Sequence, residues 1–223
     1  MIKIAIDGPS GSGKSTLAKA LAKILGYIYV DTGALYRTVG LYMVKNGVAM
    51  TDTDGIVARL PEITLSMFHD DKGLQHVTLN GQDVGDTIRT TEIAAAASAV
   101  SAIPQVRAFL LNTQRDIAKI HNVIMDGRDI GTVIFPDADV KIFLIAGNKA
   151  RAIRRHAELV AKGENITVEQ VLADMEKRDT NDRTRKEAPA IPAEDAIHLD
   201  NSEMSPEQTV AAALEIINAK LKG

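Results

Sequence analysis

The chain is 223 residues long, with 45% hydrophobic and 25% charged residues, 16 Gly and 7 Pro, a make-up that excludes disordered and fibrous classes. A chain of this size buries roughly 70% of its unfolded surface, and zero Cys excludes a disulfide framework, a thiol nucleophile and a cysteine metal site. Lys and Arg number 26 against 29 Asp and Glu, a net charge of -3, and with no Trp and 4% aromatics the chain offers neither a basic field nor a stacking platform for nucleic acid. No apolar run approaches the ~18 residues of a membrane helix. Lys3 and Asp7 interrupt what would be the apolar part of an export signal. The expectation is a cytoplasmic protein with neither a membrane nor a nucleic-acid partner.

Lys3 to Asp7 (KIAID) reads as a strand running into a glycine-rich turn, and Ser15 to Leu25 carries Leu17, Leu21, Ile24 and Leu25 at helical spacing up to Gly26. Tyr27 to Asp31 (YIYVD) is a second strand, and Ala34 to Lys45 a second helix that stops at Asn46-Gly47. Glu62 to Phe68 then breaks the rhythm. Ile63, Leu65 and Met67 alternate, Asp70 to Gly73 supplies turn chemistry, and Leu74 to Leu79 runs into Asn80-Gly81, the pattern of a small antiparallel insert. Ala94 to Ala97, with Ile93 and Val100, makes an alanine-rich helix suited to close packing. Further strands stand at Asn122 to Asp126, Val140 to Ala146 and Ala196 to Asp200. Thr167 with Gln170, and Ser205 with Pro206 and Gln208, have capping-box spacing. Five strands alternating with helices predict an α/β fold: a doubly wound five-stranded parallel sheet with helices on both faces and ligands at the strands' carboxyl ends.

The chemistry sits first in Gly8-Pro9-Ser10-Gly11-Ser12-Gly13-Lys14-Ser15. This fits G-x-x-x-x-G-K-[ST], a P-loop whose backbone N–H groups and following helix cradle phosphates, while the lysine reaches the β/γ oxygens and the hydroxyl meets Mg²⁺. Its place between a predicted strand and a predicted helix is what that mechanism requires. Lys14 is expected in a solvated loop. Asp126, at the end of Val123-Ile124-Met125, either orders Mg²⁺ or its waters, or is a helix cap or loop ion pair. A guanine-reading Asn-Lys-x-Asp segment is missing, because Asn148-Lys149-Ala150 is followed by Arg151. Arginines cluster late, at 151, 154, 155, 178, 183 and 185, near Glu176, Asp179, Asp182 and Glu187. About half read as a salt-bridged surface, and the remainder suit phosphoryl transfer between two polyanions. His69, His76, His121, His156 and His198 show no ligand spacing.

An ordered set of motifs carries a family resemblance over nearly the whole chain: GPSGSGKST (8 to 16), DTGALYR (31 to 37), EIAAAASAVSAIPQVR (92 to 107), DGRDIGTVIFPDA (126 to 138), RDTNDRTR (178 to 185) and Ala188-Pro189. With these the sequence closely resembles the bacterial cytidylate kinases, of the nucleoside monophosphate kinase fold. The resemblance implies transfer of the γ-phosphoryl of Mg·ATP to CMP, with dCMP a second acceptor, by a monomer. A kinase for UMP or another small acceptor, or a nucleotide-dependent switch, stands as the alternative. The resemblance also implies a core at 1–33, 120–147 and 188–223, an acceptor-binding region at 34–119 with the insert at about 60–90, and a lid at about 148–187. ATP would be held by Gly8, Pro9, Ser10, Gly11, Ser12, Gly13, Lys14, Ser15 and Thr16, and Mg²⁺ by Ser15 and, through water, Asp126. Arg37 and Arg128 would take the acceptor phosphate. Ser98, Arg107, Asp129 and Arg185 would read the cytosine, and Arg178 and Asp182 the ribose. Lys14, Arg128, Arg154 and Arg183 would serve the transfer itself. Ala146-Gly147 stands where members often carry a hydroxyl residue, at the start of the lid helix.

Overall fold

The structure, a computed structural model, describes residues 1–70, 73–161 and 163–222. Its strands are β1 (Lys3–Asp7), β2 (Ile28–Asp31), β3 (Leu65–His69), β4 (Gln75–Leu79), β5 (Gln82–Asp83), β6 (Val123–Gly127), β7 (Val140–Ile145) and β8 (Ile197–Asp200). Its helices are α1 (Lys14–Leu25), α2 (Thr32–Lys45), α3 (Thr53–Arg59), α4 (Thr91–Val100), α5 (Pro104–Asp116), α6 (Asn148–Ala161), α7 (Val168–Thr184) and α8 (Pro206–Lys222). The five expected sheet strands are present, each within one residue of its expected ends. They form one sheet in the order β2-β6-β1-β7-β8, and the β6-β1, β1-β7 and β7-β8 pairings are parallel. Alternation of apolar residues had marked the insert correctly. β3, β4 and β5 make a three-stranded antiparallel sheet with Leu65 opposite Leu79 and His69 opposite Gln75. Asn80 and Gly81 both take positive φ, 50° and 83°, at the β4–β5 turn, as the Asn-Gly pair demands. The other expected turn, at 70–73, includes residues 71 and 72, which lie outside the described residues.

The chain divides into two compact units, one of Met1 with Ile28–His121, the other of residues 2–27 with the chain from Asn122 onward. In the first, Leu35, Val39, Met43, Ile56, Val100, Val106 and Leu110 form the core. Gly40 of α2 lies against α4, where an added Cβ would meet Ala96 Cβ and Ala97 N, each at 3.1 Å. The alanine-rich helix is thus a close-packing element, as its composition predicts. In the second unit α1 buries Leu17, Ala18, Leu21 and Ala22 and ends at Gly26 in the left-handed conformation. Ala152, Leu159, Val171 and Met175 join α6 to α7, and α7 starts at the Thr167–Gln170 capping box. Ser205 and Gln208 exchange the same pair of hydrogen bonds ahead of α8. Among the described residues no single helix is long and apolar enough to cross a membrane.

Candidate active site

The strand–loop–helix unit at the N-terminus is built to receive an anion. Apolar β1 delivers the chain to Gly8, where φ is 150° and an added Cβ would stand 2.3 Å from Leu144 O, so only glycine permits this approach of the loop to β7. The chain turns into α1 through Gly13, at φ 91°, with no side-chain cap and no acid in the first turn of the helix. The helix N-terminus therefore keeps its partial positive charge and its unsatisfied N–H groups for a ligand. Lys14 Nζ donates to Pro9 O at 2.6 Å and to Ser12 Oγ at 3.3 Å. The expectation of a solvated lysine is corrected: Lys14 is 6% exposed, because the loop folds back over its stem. Burial holds its pKa well below the usual lysine range, and Arg128 and Arg178 push the same way while Asp126 and Asp7 oppose them. Ser12 is buried and its carbonyl accepts from Asn201 Nδ2 at 3.0 Å. Ser15 and Thr16 are exposed, and Ser15 Oγ donates to Asp126 Oδ2 at 2.8 Å. The β1–β6 register, Ile6 opposite Asp126, puts that carboxylate beside the loop's entrance.

The segment after β6 carries Arg128 and Asp129 into a single π-helical turn, Ile130–Ile134, a distortion that recurs at functional sites. Asp7 fixes its start, accepting from Ile130 N and Gly131 N, each at 2.8 Å. Burial raises the Asp7 carboxyl to about 6, against the pull of those two bonds. Around the turn, Arg128 Nε donates to Asp182 Oδ2 at 2.9 Å, Arg185 Nη2 lies 3.5 Å from Asp129 Oδ1, and Arg185 Nη1 lies 3.8 Å from Asp182 Oδ1. The structure thus brings together four residues, 128, 129, 182 and 185, that the sequence had grouped only through the resemblance. Arg154 Nη2 donates to Asn201 O at 3.1 Å; Arg183 is exposed. Arg151, one of the late arginine cluster, is 3% exposed. It donates to Ser10 O at 2.6 Å and pairs with Asp179, whose other oxygen accepts from Ser10 N at 3.0 Å.

In the first unit, Asp31 caps α2. Oδ1 accepts from Ala34 N at 3.1 Å, and Oδ2 accepts from Arg37 Nη2 at 2.8 Å. Arg37 Nε is buried without a hydrogen-bond partner, a state that leaves a guanidinium edge for an anion. Arg107 is 9% exposed, donates to Ser101 O at 3.1 Å and lies 5.5 Å over the Tyr36 ring. Ser98 is half-buried on α4. Asp7, Asp31, Asp179 and Asn201 had drawn no functional reading. For Asp7 and Asp31 a signal existed, since each acid ends an apolar strand directly before a glycine-containing turn or helix start.

Oxygen donors suit Mg²⁺, and the hydroxyl and carboxylate of Ser15 and Asp126, 2.8 Å apart, fit that ion. Among the described residues no three His, Cys, Asp or Glu side chains gather as a protein-only metal cage, so water and phosphate would complete the shell.

The sequence profile of a family described as cytidylate kinase matches residues 4–219. The cytidylate kinase of Carboxydothermus hydrogenoformans is 46% identical over 219 residues, covering 98% of each chain. That of Caldicellulosiruptor bescii is 47% identical over 221 residues, covering 99% of this chain and 97% of the relative. A crystal structure of an uncharacterized protein from Eubacterium ventriosum superposes with a TM-score of 0.52 at 14% identity, covering 98% of this chain and 99% of that one. At that identity it speaks for the fold alone.

Proposed function

The chain belongs to the cytidylate kinase family, and from that premise we propose how its residues move the γ-phosphoryl group of ATP onto CMP, giving ADP and CDP. Residues 8–16 wrap the donor phosphates with backbone N–H groups and the α1 N-terminus. Lys14, desolvated by burial and with Arg128 and Arg178 pushing its pKa down further, gains most from an arriving polyanion. The glycine loop that leads through Gly13 into an uncapped helix N-terminus, with the buried Lys14 folded back onto Pro9 O and Ser12 Oγ, is the observation that carries the reading. Arg37 and Arg128 hold the acceptor phosphate. Asp129, Arg185, Ser98 and Arg107 select the cytosine, whose N4 amino group donates and whose O2 and N3 accept. Arg178 and Asp182 hold the ribose, and dCMP is the second acceptor. Mg²⁺, which screens the donor oxygens when bound, would be held by Ser15 and, through water, by Asp126.

No general base is needed, because the attacking oxygen belongs to a phosphate already ionised at neutral pH; positioning and charge screening are the catalytic work. Residues 1–33, 120–147 and 188–223 serve as core and 34–119 as acceptor region. Residues 148–187 serve as a lid that brings Arg154 and Arg183 to the transferred group and excludes water. The deciding experiment is a coupled assay of ADP release with ATP and each nucleoside monophosphate in turn. CMP is expected to give the highest kcat/KM. A higher value with UMP or a non-nucleotide alcohol would move the assignment to another small-molecule kinase, and ADP release indifferent to every acceptor would sink the kinase reading.

A further inference from the structure

β2 is the edge strand of the five-stranded sheet, and an edge strand presents alternate N–H and C=O groups that need partners. Its partners here are side chains. Gln75 Oε1 accepts from Asp31 N at 2.7 Å, and Gln75 Nε2 donates to Asp31 O at 3.2 Å, so one amide imitates both bonds of a neighbouring strand. Two residues back along β2, Tyr29 O lies 2.8 Å from His69 Nε2. A carbonyl only accepts, so Nε2 carries the proton. Burial lowers the pKa of His69, which keeps it a neutral ring. His69 and Gln75 are directly opposite one another in the β3–β4 ladder. The two outermost residues of the insert hairpin thus grip β2 at Tyr29 and Asp31. Asp31 is also the residue whose carboxylate caps α2 and holds Arg37. Gly33 leaves room for that guanidinium, since an added Cβ would stand 2.8 Å from Arg37 Nη1.

We propose that the antiparallel insert is a brace for the acceptor-phosphate arginine: Gln75, seconded by His69, fixes the Asp31 backbone, and Asp31 in turn fixes the Arg37 guanidinium. Gln75 is a positioning residue for acceptor binding. The inference rests on the assignment of Arg37 to the acceptor phosphate.

The test is steady-state kinetics of Gln75→Leu, which keeps the side-chain volume and removes both amide bonds. KM for CMP should rise roughly tenfold, the order expected when a positioned group drifts by a fraction of an ångström, while KM for ATP and kcat stay within twofold. A purely structural role would lower the melting temperature and leave the CMP-to-ATP ratio of KM values where it was, which would overturn the inference. Arg37→Ala separates the two assignments. If Arg37→Ala leaves KM for CMP unchanged, the reading of Arg37 fails. If Arg37→Ala raises it and Gln75→Leu does not, the brace alone fails. In the Arg37→Ala background Gln75→Leu should add less than a twofold change, and a full further tenfold rise would mean Gln75 acts by another route. Should Gln75→Leu not fold, His69→Leu against His69→Gln decides. Only the second keeps a donor for Tyr29 O, so equal KM values for CMP in the two would refute the brace.

Discussion

Replacing Lys14 by methionine should separate activity from stability. The side chain is nearly isosteric, so the stem keeps its buried position and no cavity opens. Lost are the bonds to Pro9 O at 2.6 Å and Ser12 Oγ at 3.3 Å, together about 2 to 4 kcal/mol, since both are donated by the ammonium but only the first is short. Gained is relief from holding a desolvated ammonium against the repulsion of Arg128 and Arg178, a penalty of several kcal/mol for a buried ion. The two nearly cancel, so Tm should move by no more than about 4 °C for a chain of this size. In contrast kcat should fall at least 100-fold, about 3 kcal/mol, the loss typical of one preorganised donor at a developing charge. The pH dependence carries a second signature. A lysine whose folded pKa is lowered binds fewer protons in the native state than in the unfolded chain, so it makes stability climb as pH rises from the lowered value toward 10.5. Lys14→Met should flatten that climb. Denaturant melts from pH 7 to 10, run beside the coupled assay, measure both. A variant that loses Tm and kcat in parallel, or keeps the alkaline climb, would show that Lys14 holds the loop together and does not serve the transfer.

Asp7 makes the opposite prediction at acid pH. With a carboxyl raised to about 6 from 3.8, the native state binds the proton more tightly, so stability should fall by about 2 kcal/mol as pH rises from 4 to 6, out of roughly 3 kcal/mol over the whole titration; denaturant melts of Asp7→Asn against the parent chain over that window should lack this component, and an unchanged slope would refute the shift. Asp129→Asn should lower kcat/KM for CMP more than for UMP, by about 1 to 3 kcal/mol, whereas Arg37→Ala should weaken both alike; one common factor for Asp129→Asn would remove it from base reading. Hydrogen exchange across 148–187 should slow when a bisubstrate analogue fills both sites, and unchanged protection would refute a lid.

What the sequence disclosed and what it withheld follow from the range of the interactions. The strands and the P-loop announce themselves within a dozen residues, because apolar runs, the glycines at 8, 11 and 13 and the Asn80-Gly81 pair are local signals. The resemblance supplied the grouping of Arg128, Asp129, Asp182 and Arg185, which no periodicity could, since Arg128 and Asp182 meet across 54 positions. Lys14 was misjudged because a motif gives the identity of a residue and not the depth at which the loop buries it. Among the late arginines the sequence could not say which lie on the surface and which turn inward, and Arg151, which donates to Ser10 O and pairs with Asp179, is one of the inward ones. Gln75 and Asp31 are both ordinary polar residues, and only the register of a hairpin against a sheet edge gives their contact meaning.

The near-touching of α2 and α4 at Gly40, Ala96 and Ala97 has an entropic consequence. Glycine and alanine have no rotamers to surrender, so contact at these three positions freezes no side-chain freedom, in contrast to leucine or methionine there. The helix that carries Arg37 and the helix that carries Ser98 are therefore in closest contact where ordering is cheapest, at residues that have no alternative rotamers to adopt. What that seam forgoes in apolar area it returns as a fixed spacing between the two helix backbones.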